Sequence, residues 1–420
     1  MNTLEVDRHN PAEHGVESAA LSRRIRVLHS VGHLLRGGIE MWLYQVLQKL
    51  DPAQFEHHVL VRTEKTEPFT EDFERAGFKV LPCLNFSNPF KYRSNLRRLI
   101  AGNGPYDVLH VHGSNPNGLL ALLFAKSLGI PSTIVHSHND VRPLLESRGL
   151  PYRAYVWMTL RGLKTFADCG FAVSGLAAES MFGADWKADS RWQLLQPGVD
   201  FHPFEHSSRS DLRAGLGIAG DAFVVGHVGR FHAQKNHQFL LQVLLELLKK
   251  SPKTVLLLIG DGALRSGIES KVAQKGLRDQ VKFVPDTLSV PQFMMEVMDC
   301  FVLPSRYEGL GLVAVEAQAA GLPCVLSDRV PTEAVVDRNL VTFLRLEDSP
   351  EKWANAILGL RGRKINVSHE HLDQFYESEF NLECSAASLS RTYKSLALGR
   401  GGSGVPFEAS SQSQAVGRAS

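Results

Sequence analysis

The chain has 420 residues, enough for two or three domains with their own cores. It is 44% hydrophobic and 21% charged, the balance of a soluble globular protein. Its 46 basic and 44 acidic residues leave a net charge of +2, which removes any global argument for nucleic acid and leaves membrane contact to be argued locally.

Five cysteines (Cys83, Cys169, Cys300, Cys324 and Cys384) are odd in number, scattered and free of any C-x-x-C pair. That pattern fits reduced thiols in a cytoplasmic protein better than a disulfide or zinc framework. No run approaches the ~18 apolar residues that span a bilayer, and the opening MNTLEVDRHNPAEHG has no signal-peptide core.

Residues 1–22 lack apolar periodicity and are expected to form a disordered tail. Ile25–His29 reads as a strand that leads through Ser30–Gly38 into a helix over Ile39–Leu50. This turn has the position of a dinucleotide-binding loop but neither G-x-G-x-x-G nor an acidic residue for the ribose, which argues against an NAD enzyme. Further strands are expected at His58–Val61, Lys79–Leu81, Val108–Val111, Thr133–Val135, Gly170–Val173 and Trp192–Leu195. Helices are expected near Pro68–Ala76, Tyr92–Ala101, Gly118–Leu128, Tyr152–Phe166 and Leu176–Met181. Such alternation implies a doubly wound parallel sheet with its active site at the C-terminal strand ends.

Two pairs, His110-Val111-His112 and His136-Ser137-His138, stand at such ends. H-x-H on a strand puts both rings on one face. Four histidines are the residue type of a zinc or iron site, but no acidic cluster accompanies them, so no metal is expected. The alternative is rings packed and hydrogen-bonded at a sheet end. Two basic amphipathic helices also lie in this half. Lys91, Arg93, Arg97 and Arg98 flank Leu96, Leu99 and Ile100; Arg142, Arg148, Arg153, Arg161 and Lys164 surround Leu144, Leu145, Tyr155, Trp157 and Leu160. These faces suit an anionic membrane surface, or else are solvated faces of core helices.

Gln196–Asp200 marks the passage between halves, and the polar His202–Gly220 reads as a linker with a short helix. Phe223–Val228 opens the second half as an apolar strand, followed by Gly229-Arg230-Phe231-His232-Ala233-Gln234-Lys235-Asn236. This is not a Walker loop, since G-K-[ST] is missing. Arg230 can hold phosphate oxygens in a fork, Lys235 supplies a compact charge, and Asn236 is expected to cap the helix that runs to Lys250. Strands are expected at Thr254–Ile259, Val281–Val284, Phe301–Leu303 and Val341–Phe343, with helices at Glu351–Leu360, Ser368–Tyr376 and Leu382–Leu398.

Between them lies PSRYEGLGLVAVEAQAAGLPCVLSD, Pro304–Asp328. Its loop Tyr307–Gly311 feeds a helix over Leu312–Ala320, which Gly321-Leu322-Pro323 stops before the next strand. The helix N-terminus then lies at the C-terminal sheet edge, where unpaired N–H groups and the helix dipole favour an anion. Glu308 falls in the loop and Glu316 one to two turns into the helix.

These strings together resemble the retaining glycosyltransferases of family 4. Glu308 and Glu316, with seven residues between them, match its E-x7-E signature around Gly309-Leu310-Gly311-Leu312. Gly37-Gly38-Ile39-Glu40 is similar to its GG-x-E loop, Gly229–Asn236 to its G-R-x4-K-N element, and Gly260–Leu264 to its G-x-G-x-L turn. The histidine pairs and the second-half string are most similar to the branch that serves exopolysaccharide or capsule assembly.

The resemblance implies an α/β fold of GT-B type, two Rossmann-like doubly wound domains facing a cleft. The domains are expected at 23–200 for the acceptor and 201–376 for the nucleotide sugar. Residues 377–398 are expected as a helix crossing back to the first domain, and 399–420 as a disordered tail. It implies His138, Glu308, Lys235 and Arg230 as catalytic residues. Donor contacts are implied at Gly37, Gly38, Gly229, Arg230, Lys235, Val284, Glu308, Gly309, Leu310, Gly311, Leu312 and Glu316. His112, His136 and His138 are implied on the acceptor side, with His138 preferred because Ser137-His138 better fits the family's Thr-x-His frame. Pro285 stands where a glycine is common and removes one backbone N–H from the nucleobase end.

No Asp-x-Asp occurs, so no cofactor and no divalent metal is expected. The implied partners are a nucleotide-diphosphate sugar, UDP-sugar favoured, and a saccharide or polyprenyl-diphosphate-linked acceptor. The implied location is cytoplasmic, at the inner face of the cell membrane. A sugar-nucleotide hydrolase or epimerase of the same fold, or a regulatory protein that only binds the nucleotide sugar, are the rival readings.

Overall fold

The computed structural model describes residues 23–35, 37–113, 116–146, 148–206, 211–285, 287 and 289–399. The expected tails, 1–22 and 399–420, lie outside these residues except for Gly399. Two parallel sheets organise the rest. The first comprises β1 (Ile25–Ser30), β2 (Phe55–Val61), β3 (Lys79–Pro82), β4 (Val108–His112), β5 (Ser132–Ser137), β6 (Cys169–Ala172) and β7 (Trp192–Leu194), in the order β3-β2-β1-β4-β5-β6-β7. The second comprises β8 (Phe223–Val228), β9 (Thr254–Ile259), β10 (Val281–Val284), β11 (Cys300–Leu303), β12 (Cys324–Ser327) and β13 (Val341–Leu344), in the order β10-β9-β8-β11-β12-β13. Each order reverses once, between β1 and β4 in the first domain and between β8 and β11 in the second. Such a reversal opens the crevice in which doubly wound sheets bind ligands.

The strands are apolar because parallel sheets are covered on both faces. β9, Thr-Val-Leu-Leu-Leu-Ile, is buried along its whole length. The helix His237–Lys250 covers that sheet with Leu240, Leu241, Val243, Leu244 and Leu247. Asn236 does not cap it as expected: its backbone is left-handed (φ 56°) and its side chain makes no capping bond. The residue instead reverses the chain between Lys235 and the helix, a conformation that asparagine tolerates better than most residues.

Gly311 and Gly321 bound the short helix Leu312–Ala319, both with positive φ (86° and 71°). At Gly321 a Cβ would also stand 2.4 Å from the Ile365 carbonyl oxygen, so both glycines are required by the turn geometry.

The final helix, Leu382–Ala397, returns to the first domain. Its Leu382, Ala386, Leu389, Tyr393 and Leu396 join Ile25, Val27, Trp42, Val46 and Leu47 in one buried cluster. The return is pinned where Val199 N–H donates to the Phe380 carbonyl (2.7 Å) and Leu382 N–H to the Val199 carbonyl (3.2 Å). All five cysteines are unpaired, and no helix among the described residues is long and apolar enough to cross a membrane.

Candidate active site

The second domain supplies a charged ledge at its topological reversal. Lys235 arrives on the turn after β8 and Glu308 on the loop after β11. Lys235 Nζ donates to Glu308 Oε1 at 2.7 Å, and Ser305 Oγ donates to the same oxygen at 2.5 Å. Gln234 Nε2 donates to the Tyr307 carbonyl (2.9 Å) and reaches Glu308 Oε2 at 3.4 Å. Ser327 Oγ donates to the Ser305 carbonyl at 2.6 Å, tying β12 to this loop. The Glu308 side chain is 7% exposed and the Lys235 side chain 15%, so the pair is held in a low-dielectric setting. Glu308 Oε2 is the oxygen with capacity left for a ligand. One turn into the following helix, the Glu316 side chain has no hydrogen-bond or ion-pair partner among the described residues. Burial pushes its carboxyl up to about 7, with Lys235 opposing the rise.

The first domain closes over this ledge. Gly37 lies against Arg230: a Cβ at position 37 would stand 2.2 Å from Arg230 Nη2. Gly38 begins the helix Gly38–Lys49, and Glu40 in its first turn faces Arg230 across the cleft at 3.9 Å. Burial raises the Glu40 carboxyl to about 7; Arg230 opposes this and Glu67 reinforces it. Gly309 touches the His138 carbonyl, so closely that a Cβ there would stand 1.8 Å from that oxygen. Ser174 Oγ donates to the Gly309 carbonyl at 2.5 Å, and Gly175 N–H donates to Glu333 at 3.1 Å. These contacts bring the expected donor and acceptor residues to one interdomain seam.

Behind His138 the first sheet carries a cluster of imidazoles. His110 and His112 have ring centroids 4.1 Å apart, and His136 and His138 4.0 Å apart, each pair on one face as H-x-H requires. His29 and His57 join them: His57 Nδ1 lies 3.0 Å from His29 Nε2, His29 Nδ1 3.1 Å from His112 Nε2, and His112 Nδ1 3.2 Å from His138 Nε2. Trp42 covers the ring of His136 edge-on at 5.2 Å, and Tyr393 OH bonds His110 Nδ1 at 2.8 Å. All six rings are buried, and burial lowers their pKa values, those of His57 and His138 to about 3.

Lys235 and Glu308 therefore meet directly, Arg230 faces the first domain's glycine loop, and His138 meets Gly309 through its backbone. Val284 stands at the far end, where Gly260 N–H donates to its carbonyl at 3.1 Å. Gly229 packs on the Lys235 stem, with 3.1 Å for a Cβ there. Leu310 is buried and Leu312 half-buried beside them. Sequence reasoning did not place Ser305, Gln234, Ser174, Glu40, His29, His57 or Tyr393 in the site. Ser305, Gln234 and Glu40 sat inside matched strings, but the others are joined only by the fold.

Both halves of the chain match known family models. The Glycosyltransferase Family 4 model matches residues 36–202, and the model of Glycosyl transferases group 1 matches residues 208–361. EpsF of Bacillus subtilis (strain 168), named as a glycosyltransferase, is 32% identical over 350 residues, covering 80% of this chain and 88% of that one. The chain belongs to the family 4 glycosyltransferases. The transferase is also 24% identical over 378 residues to the UDP-Gal:alpha-D-GlcNAc-diphosphoundecaprenol alpha-1,3-galactosyltransferase of Escherichia coli, covering 86% of this chain and 94% of that one. Its fold matches that of Anabaena Alr3699/HepE, solved in complex with UDP and glucose, with a TM-score of 0.74 at 18% identity, over 89% of this chain and 100% of that one. The GT-B architecture expected of the two domains is thus the one observed.

Proposed function

We propose that the transferase moves a hexose from a UDP-sugar to a polyprenyl-diphosphate-linked saccharide of exopolysaccharide assembly, with retention of configuration and without a divalent metal at the diphosphate. The observation that carries this reading is the buried Lys235–Glu308 pair beside the N-terminus of helix Leu312–Ala319. Lys235, Arg230 and the free N–H groups of that terminus offer fixed positive charge where a leaving diphosphate develops negative charge. The UDP-glucose complex of the Anabaena neighbour and the diphosphoundecaprenol substrate named for the Escherichia coli relative support this choice of donor and acceptor. Similarity of the histidine pairs and second-half string to the exopolysaccharide branch supports the pathway.

In this reading Glu308 Oε2 accepts from sugar hydroxyls and Glu316 from the ribose. His138 stands at the reacting face. No carboxylate is placed as a nucleophile, so substitution proceeds on the front face. The acceptor oxygen bonds to the anomeric carbon as the carbon–phosphate oxygen bond breaks, and the acceptor proton passes to the departing phosphate oxygen. A cytoplasmic location at the inner membrane face goes with the lipid-linked acceptor. The helix Leu150–Phe166 supports membrane contact: Leu150 is 76% exposed, Trp157 60% and Met158 58%, and Arg161 stacks on Trp157 at 5.5 Å.

Incubation with UDP-sugars and lipid-linked acceptor, with and without EDTA, tests this. Acceptor-dependent, EDTA-insensitive release of UDP with an α-linked product is expected. Release without acceptor would instead favour a hydrolase, and binding without any release a regulatory protein.

A further inference from the structure

Five imidazoles lie on four adjacent strands, β2, β1, β4 and β5, with His138 just past the end of β5, and the proposed transfer uses only His138. Strands buried on both faces are ordinarily runs of Val, Ile and Leu. Here the fold keeps nitrogen in their place and leaves some of it unserved. His110 Nε2 and His57 Nε2 are buried without a hydrogen-bond partner. Each such group gives up its hydration on burial with no hydrogen bond to offset the loss.

We infer that His29 Nδ1, His110 Nε2 and His112 Nε2 form a binding site for one late first-row transition metal ion, of the group zinc, copper, nickel and cobalt. One ring nitrogen from each of His29, His110 and His112 lies within 4.8 Å of the other two. His29 Nδ1 and His112 Nε2 are 3.1 Å apart, close to the ~3.3 Å that separates two nitrogens sharing a tetrahedral ion at ~2.05 Å. The third ligand atom, His110 Nε2, is one of the unserved nitrogens.

The opposite nitrogen of every ligand ring is held. His29 Nε2 meets His57 Nδ1 at 3.0 Å, His112 Nδ1 meets His138 Nε2 at 3.2 Å, and His110 Nδ1 meets Tyr393 OH at 2.8 Å. Outer partners of this kind orient metal-binding imidazoles and fix their tautomers. A second triple, His112, His136 and His138, shares one ring with the first, but no side chain holds an outer nitrogen of its His136, which interacts only with the Leu195 backbone. An imidazole-only set suits late transition metals and not calcium or magnesium, which take oxygen. The site is separate from the donor diphosphate, whose proposed metal independence it leaves untouched.

The ion reaches the cleft through one proton. Bound at His112 Nε2, it leaves Nδ1 of that ring protonated and donating to His138 Nε2. His138 then carries its own proton at Nδ1. Occupancy sets the tautomer of the imidazole beside Gly309.

The test uses the full chain purified without a polyhistidine tag. Elemental mass spectrometry is expected to find about one ion per chain after gel filtration. Cobalt(II) added to chelator-treated protein is expected to give visible ligand-field bands. His110→Ala should reduce both signals to background, and His136→Ala should keep them. Tyr393→Phe, which preserves the packed ring, should weaken cobalt binding about 10- to 100-fold. Thermal unfolding checks each variant, and Tyr393→Phe decides if His110→Ala does not fold. Wild-type protein with neither ion nor cobalt band overturns the inference. So does loss of metal in His136→Ala with retention in His110→Ala. Transfer that persists in metal-free protein leaves the functional reading standing either way.

Discussion

Gly309→Ala should separate donor binding from transfer. The residue joins the charged ledge of the second domain to the first domain, and a Cβ there would stand 1.8 Å from the His138 carbonyl oxygen, against 3.4 Å or more for an ordinary contact. Its backbone φ is not positive, so alanine adds no local strain and the second domain should fold normally. The seam must instead open by roughly 1.6 Å, and misplacement by about 1 Å costs on the order of 100-fold in rate. A fall in kcat of at least about 100-fold is expected, equal to about 2.7 kcal/mol of lost transition-state stabilisation. UDP affinity should weaken by less than about tenfold, because Lys235, Glu308 and Glu316 all lie in the second domain. Initial rates and calorimetric titration with UDP measure the two quantities. A variant with kcat within threefold of wild type would show that the contact between Gly309 and His138 is not needed for transfer.

Lys235→Ala and Glu308→Ala should each lose turnover by at least about 100-fold while remaining folded. Removing Lys235 strands a buried carboxylate, so the double variant Lys235→Ala/Glu308→Gln should melt higher than Lys235→Ala alone; equal melting temperatures would contradict the burial argument. The carboxyls of Glu40 and Glu316 are both raised to about 7, so the folded state keeps protons that the unfolded chain gives up near pH 4.5. Stability should therefore be fully present below pH 4.5 and fall as pH rises to 7, by up to about 3 kcal/mol per group. Glu316→Gln should flatten that fall in a pH series of thermal melts, and an unchanged slope would count against it. On anionic vesicles at low salt, Tyr155→Ala/Trp157→Ala should cut the bound fraction at least about tenfold in flotation. Wild-type protein that ignores such vesicles removes the membrane proposal.

Much of the fold was legible because its signals are local. Apolar runs such as Thr254–Ile259 can be nothing but buried strands in an alternating pattern, and Gly311 and Gly321 punctuate the helix between them. The nearness of Glu308 and Glu316 was legible for the same reason, since both lie within one loop and helix. What escaped is long-range. Lys235 and Glu308 are 73 residues apart, and nothing in their neighbourhoods announces that they pair. His29 ended the expected strand Ile25–His29, and His57 fell just outside the expected strand His58–Val61. Only the register, which sets His29 beside His110 and Val27 beside His57, collects them with the two H-x-H pairs. Tyr393 reaches His110 from 283 positions away because the last helix crosses back. Asn236 was misread as a side-chain cap because the same residue type also serves left-handed turns, and sequence alone does not separate the two.

The most direct measurement is calorimetric titration of UDP and UDP-sugars in EDTA, followed by UDP release with a lipid-linked acceptor, on wild type and Lys235→Ala. Wild type is expected to bind UDP without metal and to release it in an acceptor-dependent way, with both lost or greatly reduced in the variant. Binding that requires a divalent cation, or that is unchanged in Lys235→Ala, would contradict the claim that this ledge carries the diphosphate by its own charge.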